Sequence, residues 1–274
     1  MKRLILIALL FVNGVMFAGG PSGTYIPAEV ELPLSSAEGK GADYIMPRFY
    51  PVGWSKDGKF AYFTYSSFEY NGTANTIFKF VIQNLIDDKL VWETTFAKGK
   101  EVSLAEVWAK YENEINAKLA QNKISQYEGE LGKFPFKTAK GAVDYEVRVT
   151  QKKSSLGYTY IDSIEFHAFL GKTGDKIIYK EKNSQAIRLS VPGFMKSPFE
   201  DRVAIVLLKV KRSDEEGLYP VEIQIIGCHL GIGFKQTKPS GDDEDEDVEP
   251  DYDPDADEFE IEIDEDFGET DGNF

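Results

Sequence analysis

Few histidine or cysteine side chains are available for acid–base or metal chemistry. The chain has two histidines, His167 and His229, and one cysteine, Cys228. Cys228 and His229 are neighbours in a predicted strand, where adjacent side chains point to opposite faces, so they do not form a metal-binding pair. A closed zinc site also needs four nitrogen or sulfur ligands at recognisable spacing. Cys228 is therefore interpreted as a small buried residue of the core.

Carboxylates are the other candidates for catalysis. The sequence contains no nucleophile elbow, P-loop or dinucleotide-binding motif, and no spacing singles out a catalytic pair. His167 lies on the opposite strand face from Phe166 and Ala168, which predicts a position near the surface. A hydrolase that acts on an envelope or extracellular polymer would need acidic residues that line a cleft. Five are candidates: Asp162, Glu165, Glu200, Asp201 and Glu222.

The C-terminal stretch Gly241–Phe274 carries 19 acidic and no basic residues. Its self-repulsion and scant apolar area predict that it stays disordered. Ala256 replaces the glycine that an EF-hand loop needs, and Pro254 stiffens the segment, so we expect only weak, loose binding of Ca²⁺ or Mg²⁺. The acidic residues with the oxygen-ligand spacing of such a loop are Asp251, Asp253, Asp255, Asp257 and Glu262.

A second pattern overlaps these carboxylates. Phe259, Ile261 and Ile263 alternate with acidic residues at the period of a β-strand. Such a segment can stay free, or it can add as a strand to a basic or edge-strand partner or to the chain's own sheet. These three residues are the predicted contact with a protein partner in the envelope. A tail that only improves solubility is the alternative.

The net charge of −15 combines two regions of different character. Removing the tail's 19 acidic residues from the total of 46 leaves 27, whereas 29 of the 31 basic residues lie beyond Lys2 and Arg3. The body is therefore close to neutral and lacks the basic stripe that nucleic acid requires. A neutral body with an acidic appendage favours a protein partner instead.

The N-terminus predicts export. Lys2 and Arg3 precede the apolar run Leu4–Phe17, and small residues follow from Ala18. This is the pattern of a signal peptide over residues 1–18, which places the mature protein in the periplasm or outside the cell. The run is shorter than the roughly 20 residues that a spanning helix needs, so no transmembrane span is expected in the mature protein.

The elements that must position these residues are mainly strands. We predict an extended lead-in over residues 19–43, a single domain over 44–236 and the acidic tail over 237–274. A turn at Asp57-Gly58 begins a three-strand antiparallel meander, and Pro192-Gly193 is expected to end a short later strand. The predicted strands are an edge strand at Met46–Pro51, and then Lys59–Tyr65, Thr76–Asn84, Lys89–Thr94, Val143–Val149, Tyr158–Leu170, Lys176–Lys180, Ile187–Val191, Arg202–Lys211 and Tyr219–Leu230.

One helix interrupts the strands. Ser103 and Glu106 form a capping box, in which each side chain bonds the other residue's backbone N–H. The apolar residues that follow recur at spacings of three and four, which predicts a helix from Leu104 to about Asn122. Its apolar face must lie on a sheet, so the predicted fold class is α+β: antiparallel β meanders with one long capped helix packed on the sheet.

Two resemblances bear on the fold. Residues 54–62, with Trp54-Ser55, Asp57-Gly58-Lys59 and Ala61-Tyr62, resemble the inner-strand motif of TolB-like β-propeller blades. The motif occurs once, and a propeller needs about four blades, so a full propeller is not expected. Over residues 50–230, the order of turn, strands, capped helix and last hairpin resembles an uncharacterised bacterial family of predicted secreted proteins. That resemblance implies export and transfers no catalytic residue.

These observations predict an exported, non-enzymatic binding or interaction module of the bacterial envelope with an acidic C-terminal tail. No cofactor is expected beyond weakly held Ca²⁺. Two alternatives stay open, namely a hydrolase that works through carboxylates and a tail that responds to divalent cations.

Overall fold

The computed structural model describes residues 26–34, 43–70, 72–127, 129–171, 174–212 and 218–236. The chain divides into two units, 1–237 and 238–274, and all described residues belong to the first. They form thirteen strands and one helix: β1 (Asp43–Ile45), β2 (Arg48–Trp54), β3 (Lys59–Tyr70), β4 (Thr73–Asn84), β5 (Lys89–Lys98), α1 (Leu104–Gln121), β6 (Ser125–Gln126), β7 (Phe136–Thr138), β8 (Gly141–Lys153), β9 (Thr159–Leu170), β10 (Gly174–Lys196), β11 (Arg202–Lys211), β12 (Leu218–His229) and β13 (Lys235–Gln236).

The strands build two sheets. The large sheet has the order β1-β12-β11-β10-β9-β8-β7, with β13 paired to β10, and the small sheet has the order β5-β4-β3-β2-β6. Every named strand pair is antiparallel except β1 with β12. The predicted meander is confirmed as β3-β4-β5, and the predicted final hairpin is confirmed as β11-β12.

The main core lies between the two sheets. Trp54, Phe60 and Tyr62 of the small sheet pack in one cluster with Val206 and other aliphatic residues of β11 and β12. The backbones come very close at Gly227 of β12. A Cβ on that residue would lie 2.3 Å from the Leu85 carbonyl oxygen, so only glycine fits.

Helix α1 covers the other face of the small sheet. Its capping box forms as predicted: Ser103 Oγ accepts from the Glu106 N–H at 3.3 Å, and Glu106 Oε2 accepts from the Ser103 N–H at 3.0 Å. The indole of Trp108 lies 5.1 Å from the ring of Phe63 in β3. A second core cluster thus joins the helix to the sheet.

The large sheet curls around a third cluster. Phe136 of β7, at one edge, shares this cluster with Phe166 of β9 and with Ile226 and Cys228 of β12, near the other edge. Side chains from opposite ends of a sheet can meet only if the sheet bends. Cys228 is buried here, as predicted.

The predicted α+β class is wrong, because the described fold is mostly β with one 18-residue helix. The prediction treated the single helix as defining the fold class. It also divided one continuous strand into two. Strand β10 runs 23 residues, through the segments predicted as two short strands with a stop at Pro192-Gly193. Asn183 and Gln185 have positive φ, and the pairing register shifts near them and near Gly193. The gap left between the two predicted strands and the expected stop at Pro192-Gly193 are therefore bulges that bend one strand.

Candidate ligand-binding groove

An open cavity lies between the two sheets, where the large sheet ends before the small sheet does. It has a volume of about 570 Å³ and includes residues 220–225 of β12 in its wall. We call it the inter-sheet groove. On β3 and β4 its lining residues alternate, which places them on one face: Tyr62, Thr64, Ser66, Ile77, Lys79 and Val81. The volume falls in the range of small-ligand pockets.

The groove exists because most of the outer edge of β12 has no neighbouring strand among the described residues. Among the residues that the structure describes, the large sheet continues beyond β12 only as the three residues of β1. The face of β3 and β4 that would lie under a further strand stays open. Ile77 is accordingly 41% exposed and Leu90, at the start of β5, is 55% exposed. These are apolar residues of the kind that a bound partner covers.

A few polar groups are fixed within this apolar wall. Lys79 Nζ lies 3.0 Å from Glu93 Oε2, an ion pair between neighbouring strands. Gln83 Nε2 donates to the Ile225 carbonyl oxygen at 3.1 Å and so links the small sheet to β12. Burial, with the charges of Glu93 and Glu222, raises the pKa of Tyr62, which keeps its hydroxyl protonated. The groove therefore combines apolar area with a small number of oriented hydrogen-bonding groups.

Asp88 joins the β4–β5 turn to the edge of β12. Its Oδ1 accepts from the Gly227 N–H at 2.7 Å and from Gln83 Nε2 at 3.2 Å. Burial raises its pKa to about 6, against the opposing effect of these hydrogen bonds. Its φ of 53° lies in the left-handed region, which aspartate and asparagine tolerate better than other side chains.

We expect Asp88→Asn to stabilise the protein at pH 8. The folded state raises this pKa, so the wild type loses stability as the pH rises from about 4 to above 6, where the partly desolvated carboxyl must ionise. Asparagine keeps the accepting oxygen without the charge. Allowing for solvent screening, the gain should be about 1–2 kcal/mol at pH 8 and should vanish below about pH 4. Urea unfolding of both proteins from pH 4 to 8 measures it.

Asp87→Asn is the matched control in the same turn. Asp87 pairs with Lys89 at 2.8 Å near the surface, and the hydrogen bond from Lys89 lowers its pKa. Its removal should bring no gain at pH 8. An Asp88→Asn protein that is less stable than wild type at pH 8 would show that the charge itself strengthens the link to Gly227.

A second polar cluster lies beside the groove, behind β12. Lys209 is only 3% exposed, and its Nζ lies 2.9 Å from Glu222 Oε1 and 3.2 Å from Glu181 Oε1. Burial opposes the ionisation of Glu222, but the hydrogen bond and charge of Lys209, with Lys211, hold its pKa below the usual range. Lys209 therefore contacts both carboxylates and favours the ionised form of Glu222.

The histidines and the cysteine hold structural positions. The prediction that His167 lies near the surface is wrong, since its side chain is only 4% exposed. Its Nδ1 lies 3.2 Å from Asp175 Oδ1, its Nε2 lies 3.4 Å from Glu165 Oε2, and its ring stacks on Phe169. Burial raises the pKa of the Cys228 thiol, which disfavours the nucleophilic thiolate. No three histidine, cysteine or acidic side chains of the described residues come together as a metal site.

The five carboxylates considered for a hydrolase are all engaged in ion pairs. Each has a cationic partner within 4 Å: Asp162 with Lys152, Glu165 with Lys180, Glu200 with Arg202, Asp201 with Lys196 and Glu222 with Lys209. Only Glu222 of these five lines the inter-sheet groove. Sequence reasoning missed Asp88, whose only signal was its position between the predicted strands Thr76–Asn84 and Lys89–Thr94.

Several predicted features lie outside the described residues. They are the signal peptide, the cation ligands Asp251, Asp253, Asp255, Asp257 and Glu262, and the partner-binding residues Phe259, Ile261 and Ile263. Export, weak Ca²⁺ binding and a contact through the tail therefore stay predictions.

The chain matches no protein-family model, no curated protein and no solved structure to which it was compared. The resemblance to a family of predicted secreted proteins therefore also stays a prediction. Among the described residues, the only helix is too polar to cross a lipid bilayer. The function has to be argued from the groove itself.

Proposed function

We propose that this is an exported, non-enzymatic binding protein of the bacterial envelope, and that the inter-sheet groove holds its partner. One observation carries the proposal: the large sheet stops short of the small sheet and leaves an apolar face open beside it. A partner that covered Ile77 and Leu90 would gain about 25 cal/mol of binding free energy for each Å² of apolar surface removed from water. The part of the proposal that concerns export rests on the predicted signal peptide.

The polar groups of the groove favour binding over catalysis. Lys79 and Glu93 neutralise each other across two strands, and Glu222 is paired with Lys209. Asp88 has the raised pKa that a general acid needs, but its Oδ1 already accepts two hydrogen bonds that tie the sheets together. Under this proposal these groups orient a partner and set its specificity.

Filling the groove tests the proposal. Thr64 lines the groove on β3 and is half-buried, so tryptophan at this position would occupy the space without entering the closed core. We expect Thr64→Trp to reduce the recovery of cross-linked envelope partners by about tenfold or more, the loss that follows from removing about 1.4 kcal/mol of binding. Cross-linking and mass spectrometry in the producing cells measure the recovery.

Thr159→Trp is the control, because Thr159 is an exposed strand residue of β9 and does not line the groove. It should leave recovery unchanged, and both variants should melt close to wild type. Equal recovery with Thr64→Trp and with wild type would mean that the groove does not hold the partner. Sequencing the N-terminus of the exported protein should find cleavage after Ala18.

A further inference from the structure

The wall of the inter-sheet groove contains a stretch of unpaired strand edge. The Gly227 N–H and the Ile225 carbonyl both bond side chains of the small sheet, so they point away from β11. Backbone groups alternate in direction along a strand, and therefore Val221 and Ile223 also direct theirs away from β11 and toward the groove. On the β11 side, β12 is paired without interruption from Val221 to His229.

The two ends of this edge are already occupied. Strand β1 pairs in parallel with Leu218–Pro220 and then leaves, since the Met46 N–H bonds back to the Tyr44 carbonyl at 3.1 Å. At the other end, Gln83 and Asp88 satisfy the Ile225 carbonyl and the Gly227 N–H. Within the described part of the chain, the Ile223 N–H and C=O have no hydrogen-bond partner. An edge of this kind is a template for another strand.

An added strand would also cover the open apolar face. It would lie next to β12 in the plane of the large sheet, above the exposed Ile77 and Leu90 of the small sheet. Its side chains would point alternately toward that face and away from it. From Val221 to Ile225 the edge is about 14 Å long at about 3.4 Å per residue, which fits a segment of about five residues.

The charge of the groove lining favours some peptide segments over others. Of the charged side chains that line the groove, Lys79 is paired with Glu93, and Glu222 is paired with Lys209. This leaves the Asp88 carboxylate as the lining charge without an ion pair among the described residues. Like charges placed across neighbouring strands are destabilising, whereas opposite charges stabilise. The groove therefore disfavours an acidic segment such as Phe259–Ile263 of the chain's own tail, in which Glu260 and Glu262 alternate with apolar residues.

We infer that the groove binds an extended peptide segment of a partner protein, in which apolar residues alternate with basic or neutral ones. The segment pairs with β12 beside Ile223 through main-chain hydrogen bonds, and its apolar side chains cover the open face of the small sheet. This inference rests on the proposed function and adds the class of partner and the mode of recognition.

The probe is a seven-residue peptide of alternating valine and lysine, titrated into the full-length protein by calorimetry. Two further peptides carry N-methyl groups on backbone amide nitrogens. In one peptide the methylated amides belong to the valines, and in the other they belong to the lysines. In an antiparallel pair the valine N–H groups would face β12, and in a parallel pair the lysine N–H groups would do so. We expect one methylated peptide to bind about tenfold more weakly and the other to bind like the parent.

Three further measurements make the result specific. The amide proton of Ile223 should exchange more slowly when the valine–lysine peptide is bound, whereas that of the exposed Lys153 should not change. Thr64→Trp should abolish binding of the peptide, and Thr159→Trp should not. A peptide of alternating valine and glutamate should bind more weakly than the valine–lysine peptide.

Equal binding of both methylated peptides and of the parent would overturn the inference, because it would show that the main chain is not recognised. Stronger binding of the valine–glutamate peptide, or displacement of the probe by a peptide of residues 256–265, would assign the groove to an acidic segment and overturn it as well. A dimer in sedimentation that the probe dissociates would assign the edge to a second copy. If no peptide binds while Thr64→Trp still loses the envelope partner, strand pairing fails and the proposed function stands.

Discussion

Replacing Lys209 with methionine should cost about 3 kcal/mol of folding free energy, the low end of the range for breaking a buried ion pair. The ammonium group is almost fully buried and touches carboxylate oxygens of both Glu181 and Glu222. Methionine fills a similar volume but leaves the two carboxylates facing each other. Glu222 keeps Lys211 at 3.5 Å, so the cost should fall mainly on Glu181. Urea unfolding at pH 7 measures the difference.

Two further variants separate charge from packing. Adding Glu181→Gln to Lys209→Met should recover part of the lost stability, because the uncompensated charge is removed. Lys180→Met is the surface control, since Lys180 pairs with Glu165 while its side chain is 56% exposed, and it should change stability little. A Lys209→Met protein as stable as wild type would show that the ion pairs contribute nothing beyond the packing of the side chain.

Phe63→Ala should be at least as damaging, with a loss of about 3–5 kcal/mol. Phe63 is fully buried where the helix meets the small sheet, and its ring stacks on Tyr50 with 4.4 Å between centroids. It also lies 5.3 Å from Phe78 and 5.1 Å from Trp108. Alanine would leave a cavity at this junction that the surrounding strands cannot close. Thermal unfolding followed by circular dichroism measures the loss.

Phe68→Ala is the control on the same strand. Phe68 lines the open groove and is only partly buried, so its truncation leaves no closed cavity and should cost much less than Phe63→Ala. The helical and strand signals should melt together in all three proteins. If Phe63→Ala melted the helix separately and left the strands at the wild-type midpoint, the helix and the small sheet would not share one cooperative core.

Local patterns predicted the elements that depend on local contacts. The bonds of the capping box join residues three apart, so Ser103 and Glu106 were enough to locate the start of the helix. The hairpins β3-β4 and β11-β12 likewise join neighbouring segments with alternating apolar residues. Strand β10 was missed in part because its bulges use the same polar residues and glycines as true turns. Whether such a residue ends a strand or bends it depends on the strands paired alongside.

The groove could not be predicted in the same way. Its walls come from the adjacent strands β3 and β4 and from β12, which follows β4 by more than a hundred residues. No short sequence pattern indicates which of the two sheets ends first. The raised pKa of Asp88 has the same origin, because the desolvation that raises it requires the sheets to meet, even though the bond to Gly227 opposes it. Glu222 was among the candidate carboxylates, but its partner Lys209 belongs to a different strand.

The sequence by itself determined the strand-rich composition, the helix with its cap, the burial of Cys228 and the separation of an acidic tail from a near-neutral body. These follow from periodicity, residue type and charge, which act over a few residues or over the whole composition. Only the tertiary structure decided the fold class, the curl of the large sheet and the open edge at Ile223. They depend on strand order and length, which are set by long-range packing between residues that the chain keeps far apart.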